Sequence, residues 1–109
     1  MSTSKEFIDY ILENIEDAGF VTFRKMFGEY AVYCDGKVIA LVCDNQFFLK
    51  STKAGRDFIG DVIESPPYNG AKLYYLIENG IDDRKWFSRL IQITAAEVPE
   101  PKPKKKKAK

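Results

Sequence analysis

Between Arg24 and Lys50 the chain alternates short apolar runs with two-residue polar interruptions, the pattern of an antiparallel meander. Arg24-Lys25-Met26-Phe27-Gly28 forms a glycine-marked entry, and Tyr30-Ala31-Val32-Tyr33-Cys34 follows as a strand. Asp35-Gly36 reverses the chain, Val38-Ile39-Ala40-Leu41-Val42 returns, Asp44-Asn45 reverses it again, and Phe47-Phe48-Leu49-Lys50 closes. Asp-Gly favours a type I′ turn because both central residues need positive φ; Asp-Asn is a weaker signal of the same kind. Two-residue turns fix a register. Tyr30 then faces Leu41, Val32 faces Ile39 and Leu41 faces Phe48 on one side. Tyr33–Val38, Ala31–Ala40, Val42–Phe47 and Ala40–Leu49 lie on the other. Both sides are apolar, whereas a sheet with one wet face alternates apolar with polar. Helices on both faces, a second subunit or a ligand would each satisfy that pattern.

The flanking segments read as helices and short strands. Phe7, Ile8, Ile11, Leu12 and Ile15 make one helical stripe, with Glu6, Asp9, Glu13, Glu16 and Asp17 as an acidic outer face. Thr3 or Ser4 is the N-cap, Glu6 completes a capping box with Thr3, and Gly19 ends the helix. Phe20 to Phe23 is a short extended lead-in. Ser51 and Thr52 are cap candidates for a short helix near Lys53 to Gly60. Asp61 to Glu64 is a brief strand, and Ser65-Pro66-Pro67-Tyr68-Asn69-Gly70 is loop and turn. Lys72 to Ile77 is the last strand, and Asp82 or Asp83 caps a final helix with Trp86, Phe87, Leu90, Ile91 and Thr94 on one face. Trp86 is read as a core anchor. Tyr68 is either exposed for recognition or folded back onto Trp86.

Composition narrows the class. A chain of 109 residues, 45% hydrophobic and 14% aromatic, fits one globular α+β domain. Residues 1–97 form that domain, and 98–109 form a disordered Pro/Lys-rich tail. The net charge of +1 is unevenly spread. Residues 98–109 carry Lys102, Lys104, Lys105, Lys106, Lys107 and Lys109 against Glu100, a net +5, which leaves −4 on residues 1–97. A net-acidic domain is poorly suited to non-specific nucleic-acid binding, so polyanion affinity is expected mainly in the tail. The N-terminus has no basic region followed by an apolar stretch, and the longest apolar run is too short to span a bilayer. A cytoplasmic location without membrane association is therefore expected.

Candidate chemistry is sparse. The chain has no histidine, which removes Ser-His-Asp and Cys-His machinery and His-containing zinc sites. Cys34 and Cys43 lie roughly 20 Å apart along the hairpin at about 3.3 Å per residue, too far to bridge, and are expected as free thiols. No catalytic residues, cofactor or metal are assigned, and the chain is expected not to be an enzyme. Arg24 and Lys25 beside Phe27 and Gly28 at the strand entry, with Tyr30, Tyr68 and Lys72, make the candidate interaction surface.

The distributed pattern resembles the N-terminal domain of the TfoX (Sxy) family, regulators of natural competence in bacteria. Arg24-Lys25-Met26-Phe27-Gly28 is similar to that family's R-x-M-F-G-G opening, with Glu29 in the place of the second glycine. Val32-Tyr33, Asp35-Gly36-Lys37 and Ile39-Ala40-Leu41-Val42 resemble its central hairpin, and Phe47-Phe48-Leu49-Lys50 its L-Y-L-K strand. Pro66-Pro67-Tyr68, Gly70-Ala71-Lys72, Tyr74-Tyr75 and Asp82-Asp83 resemble its P-x-Y…Y…D-D pattern. The resemblance spans roughly residues 20–97. It implies an α-β(3)-α-β(2)-α two-layer sandwich with an antiparallel sheet, like that of secretion chaperones. It also implies regulation of competence genes with the cyclic-AMP receptor protein at target promoters. The function expected is thus a regulatory domain acting through a protein partner, either transcription machinery or a DNA-bound activator. The alternatives are a DNA or RNA accessory binder using the lysine tail and a small-ligand binder on the apolar sheet face. A homodimer is among the expected partnerships.

Overall fold

The computed structural model describes residues 3–26 and 29–98. The chain runs α1 (Lys5–Ile15), a 3-10 turn (Glu16–Ala18), β1 (Val21–Met26), β2 (Glu29–Cys34), β3 (Lys37–Cys43) and β4 (Gln46–Leu49). It continues with α2 (Lys53–Ile59), β5 (Glu64–Ser65), β6 (Tyr74–Ile77) and α3 (Arg84–Glu97). The strands form one antiparallel six-stranded sheet in the order β1-β2-β3-β4-β6-β5. The expected α+β class and the meander are present. What read as a lead-in at Phe20 to Phe23 extends to Met26 as a full strand, so four strands precede α2. The brief strand expected at Asp61–Glu64 sits at Glu64–Ser65, and the last strand begins at Tyr74.

The two turns behave as their sequences require. Asp35 and Gly36 adopt φ of 53° and 84°, and Asp44 and Asn45 adopt 53° and 57°. The β3–β4 register is the expected one, with Val42 opposite Phe47, Leu41 opposite Phe48 and Ala40 opposite Leu49. The β2–β3 register is not. Tyr33 still pairs with Val38, but beyond it Val32 pairs with Ala40, Ala31 with Leu41 and Tyr30 with Val42. Ile39 is the extra residue of a β-bulge. Its carbonyl accepts from Lys50 N across the other edge of β3, at 2.8 Å.

That one-residue slip exchanges faces. Tyr30 and Val32 join Ala40, Val42, Phe47 and Leu49, not Leu41 and Phe48 as the uninterrupted register had it. Together with Cys34, Ile39, Tyr75 and Ile77, they pack against Ile8, Ile11 and Ile15 of α1 and Phe87, Leu90 and Ile91 of α3. Phe47 and Phe87 meet edge to face at 4.9 Å and 82° inside this core. Ala31, Leu41, Cys43 and Phe48 occupy the opposite face.

The helix ends are closed by specific side chains. Ser4 caps α1, its Oγ accepting from Phe7 N at 3.1 Å. Phe7, not Glu6, therefore occupies the third helical position, and the expected Thr3–Glu6 capping box does not form. Thr3 is used elsewhere. Asp83 caps α3 through Trp86 N, and Thr52 caps α2 through Gly55 N. A second closure of α2 comes from α3: Glu97 Oε2 accepts from Lys53 N and Oε1 from Ala54 N, both at 2.9 Å. Trp86 is half-buried and stacks on Phe58 with ring centres 5.7 Å apart, so it lies at the edge of the core. Gly80, at φ 92°, allows this, because a Cβ there would lie 2.5 Å from the indole.

Phe47→Ala should lower unfolding free energy by about 3–5 kcal/mol in urea titration, since Phe47 is fully buried and loses both volume and its aromatic partner. The backbone donors of Ala54 and Lys53 hold the Glu97 carboxyl below its ordinary value of 4.5. A depressed pKa stabilises the fold above the unfolded value and loses that contribution as pH falls through the folded one. Glu97→Gln should therefore be less stable than wild type at neutral pH. The gap should close below about pH 4.5 in thermal melts run across pH.

Candidate functional site

A groove of about 660 Å³ opens on the sheet face opposite the helices, at the end where β1 hands over to β2 and β3 to β4. The bulge at Ile39 decides its floor, because it turns Leu41 and Ala31 to this side. Leu41 and Cys43 form the floor, Met26 lies along the β1–β2 side, and Pro67 and Tyr68 form the opposite wall. Tyr30 borders the groove at the start of β2, although its side chain belongs to the helix face. Pro67 is buried and Tyr68 is 61% exposed, so the loop that the two prolines hold out of the sheet presents the tyrosine at the lip.

One end of the groove is acidic and firmly built. Glu29 Oε1 accepts from Thr3 Oγ at 2.7 Å and from Asp44 N at 3.1 Å. Thr3 Oγ in turn accepts from Asn45 N at 3.2 Å, and Asn45 Oδ1 accepts from Ser4 N at 2.9 Å. This network pins the start of α1 to the β3–β4 turn. A glycine in place of Glu29 would leave the Asp44 amide and the Thr3 hydroxyl without this acceptor. The glutamate thus has a definite structural role in this chain.

Cys43 lies against these carboxylates. Burial, then Glu29, then Asp44 push its thiol up to about 11. Tyr74, on the face of β6 opposite the core residues Tyr75 and Ile77, is also pushed up, first by burial and then by Tyr68 and Cys43. Cys34 lies in the core on the other side of the sheet, where burial and Asp35 raise its thiol and Lys37 opposes them. Both cysteines are free and buried. At neutral pH Cys43 is a protonated thiol, a poor nucleophile and a good apolar contact. Groups of three or more side chains able to hold a metal ion are absent among the described residues. No helix there is long and apolar enough to cross a membrane.

The sequence-derived surface is only partly assembled here. Tyr30 and Tyr68 border the same groove. Arg24 and Lys25 are exposed but point to opposite faces of β1, since Arg24 pairs with Ala31 and Lys25 with Tyr30. Lys72 is exposed and does not line the groove. Phe27, Gly28 and the tail lysines lie outside the described residues. Tyr68 does not fold back onto Trp86, whose aromatic neighbour is Phe58. Leu41, Cys43, Glu29, Asp44 and Pro67 were not singled out from the sequence. The two-sided apolar character of β3 was the visible signal for Leu41 and Cys43, and the departure from the second glycine was that for Glu29.

A protein of Spirochaeta aurantia described as "Uncharacterized 12.7 kDa protein in trpE 5'region" is 38% identical over 109 residues, matching all of this chain and 95% of the relative. The family model for the TfoX N-terminal domain matches residues 13–98, a span that includes every strand, α2 and α3. The chain belongs to the TfoX N-terminal domain family.

Proposed function

We propose that this protein is a regulatory interaction domain that engages a protein partner through the groove on its helix-free sheet face, and that it is not an enzyme. The observation that supports this is the groove itself: an apolar floor of Leu41 and Cys43, an aromatic lip at Tyr68 and an acidic end at Glu29 and Asp44. Aromatic and Met side chains around a desolvated pocket are the composition of binding hot spots. The acidic end selects a partner segment that follows its apolar anchor with a cation. The reactive inventory is a protonated thiol, a Glu29 carboxylate already committed to the Asp44 amide and the Thr3 hydroxyl, and the Asp44 carboxylate, which suits contact better than catalysis. The implied setting is transcription regulation in the cytoplasm. There the partner is transcription machinery or a DNA-bound activator, and the lysine tail adds weak affinity for nucleic acid.

A second reading has its own support. A volume of about 660 Å³ falls within the range of small-molecule sites, so an apolar metabolite with a cationic end is the alternative occupant. Native mass spectrometry of the protein purified from its own cells distinguishes the two through co-purifying mass.

The partner reading is tested with immobilised protein and extract of the source cells, comparing wild type with Met26→Glu combined with Tyr68→Ala. Both positions are solvent-exposed, so the double variant should fold. The expected outcome is a transcription-associated protein held by wild type, retained about tenfold less by the double variant and held equally by a chain cut after Val98, which keeps that buried residue in place. Retention indifferent to the double substitution would remove the groove from consideration. DNA binding that vanishes with the tail, with no protein retained, would favour the polyanion reading. Independently, Cys43 should react with iodoacetamide far more slowly at pH 7 than free cysteine, and faster as pH rises toward 11.

A further inference from the structure

Strand β1 forms one margin of the sheet and pairs only with β2. It is six residues long, and Phe23, Arg24, Lys25 and Met26 are all exposed. A long edge strand with exposed apolar residues is a template for another strand unless something protects it. Proline and bulge are absent from β1 among the described residues, and its register with β2 is regular. The charges of Arg24 and Lys25 are the edge protection it carries, so a pairing must find them partners.

The backbone of this edge has a definite phase. The Phe20 carbonyl accepts from Asp35 N at 2.8 Å, so Phe20 turns its polar groups toward β2. In an antiparallel ladder these groups alternate from residue to residue. Val21, Phe23 and Lys25 therefore direct their N–H and C=O outward.

We propose that β1 pairs antiparallel with β1 of a second copy of this chain, about a two-fold axis at Phe23, joining two six-stranded sheets into one. Outward residues must pair with outward residues, so the axis falls on a residue of β1. Centring on Thr22 sets Lys25 beyond the start of the partner strand, and centring on Arg24 sets two guanidinium groups opposite one another. Centring on Lys25 sets two ammonium groups opposite one another. Centring on Val21 runs past the start of the strand. Centring on Phe23 uses every outward group. Val21 then pairs with Lys25 of the second copy, Phe23 with its own counterpart, and Thr22 with Arg24, so like charges are nowhere directly opposite.

The side chains on both faces fit this register. Lys25 lies on the helix side of the sheet, as its partner Tyr30 shows. On that side, between α1 and β1, a cleft of about 530 Å³ is lined by Asp9, Glu13 and Glu16 with Leu12 and Phe23. Lys25 of the second copy, opposite Val21, extends along this cleft. Asp9 is already paired with Lys5 and Glu16 with Arg84, while Glu13 has no ion-pair partner among the described residues. Glu13 is therefore the natural acceptor for the incoming ammonium. On the other side, Phe20, 72% exposed, meets Met26 of the second copy at the lip of the groove. The acidic face of α1 and the cations of β1 thus become complementary surfaces of one isologous interface.

The test is sedimentation equilibrium of the full chain with its charge-swapped variants, together with amide hydrogen exchange across concentration. Wild type should sediment at twice its chain mass of 12.5 kDa. Lys25→Glu should weaken the dimer about tenfold, because the reversal counts at two symmetric contacts. Glu13→Lys added to Lys25→Glu should restore it. Both residues are exposed, so neither change threatens the fold. Raising protein concentration should slow exchange at Val21, Phe23 and Lys25 while leaving Thr22, Arg24 and Met26 unchanged. A 12.5 kDa species at every concentration, a dimer indifferent to Lys25→Glu, or protection appearing on the even-numbered amides would each overturn the proposal. None of these outcomes depends on what the groove binds.

Discussion

The extra residue at Ile39 is the constraint on which the rest of the molecule depends. A strand has a side-chain period of two, so one inserted residue reverses the facing of all that follows it relative to its neighbour. Before the bulge Tyr33 lies opposite Val38; after it Val32 meets Ala40. Ile39 and Ala40 both reach the core, and Tyr30 and Val32 are brought onto the face covered by α1 and α3. Without the slip, Tyr30 and Val32 would share a face with Leu41 and Phe48, and the helices would meet a mixed surface. The bulge does not disturb the β4 side of β3, where the Lys50 amide donates to the Ile39 carbonyl in continuation of the regular β3–β4 register. One local irregularity thus sorts the large residues to the helix side and leaves Ala31, Leu41, Cys43 and Phe48 to the other.

This explains which features were legible in the sequence. Turn chemistry was readable because Asp-Gly and Asp-Asn each carry a conformational demand that the backbone meets with positive φ. The β3–β4 pairing followed, since nothing interrupts it. The bulge was not readable: Ile39 is an ordinary strand former, and an apolar run gives no periodicity from which a slip can be detected. A regular register was the simplest extrapolation from the first turn, and it failed two residues beyond it. β1 was under-read for a related reason. Arg24 and Lys25 interrupt the apolar pattern, but on an edge strand charged residues are permitted on both faces. The capping box failed because Ser4 and Thr3 are equally good caps by residue type. Glu29, far away in sequence, draws Thr3 into a different network.

The candidate surface fared similarly. Residues picked for chemical type alone, Arg24 and Lys25, are divided between two faces by the strand pleat, although they are adjacent in sequence. Tyr30 and Tyr68, distant in sequence, come to the same groove. What joined them is long-range: the bulge sets the floor, the β1–β2 handover sets one side, and the Pro66-Pro67 segment, unable to donate to a ladder, stands off the sheet as a wall. No window of the chain contains that arrangement.

The two cysteines make the consequence concrete. They look equivalent as residues, each flanking a hairpin turn beside an aspartate. The folded protein places Cys34 in the helix-covered core and Cys43 on the groove floor, on opposite sides of one sheet. Burial raises both thiols, but beside Cys43 the carboxylates of Glu29 and Asp44 add to the effect, whereas beside Cys34 Lys37 works against it. Burial keeps the Cys43 thiol protonated, and the carboxylate that ties Thr3 to the β3–β4 turn adds to that effect. Removing Glu29 would loosen the anchor of α1 and lower the barrier to thiolate formation together. One residue, Glu29, thus serves both the anchor of α1 and the electrostatics of the groove floor.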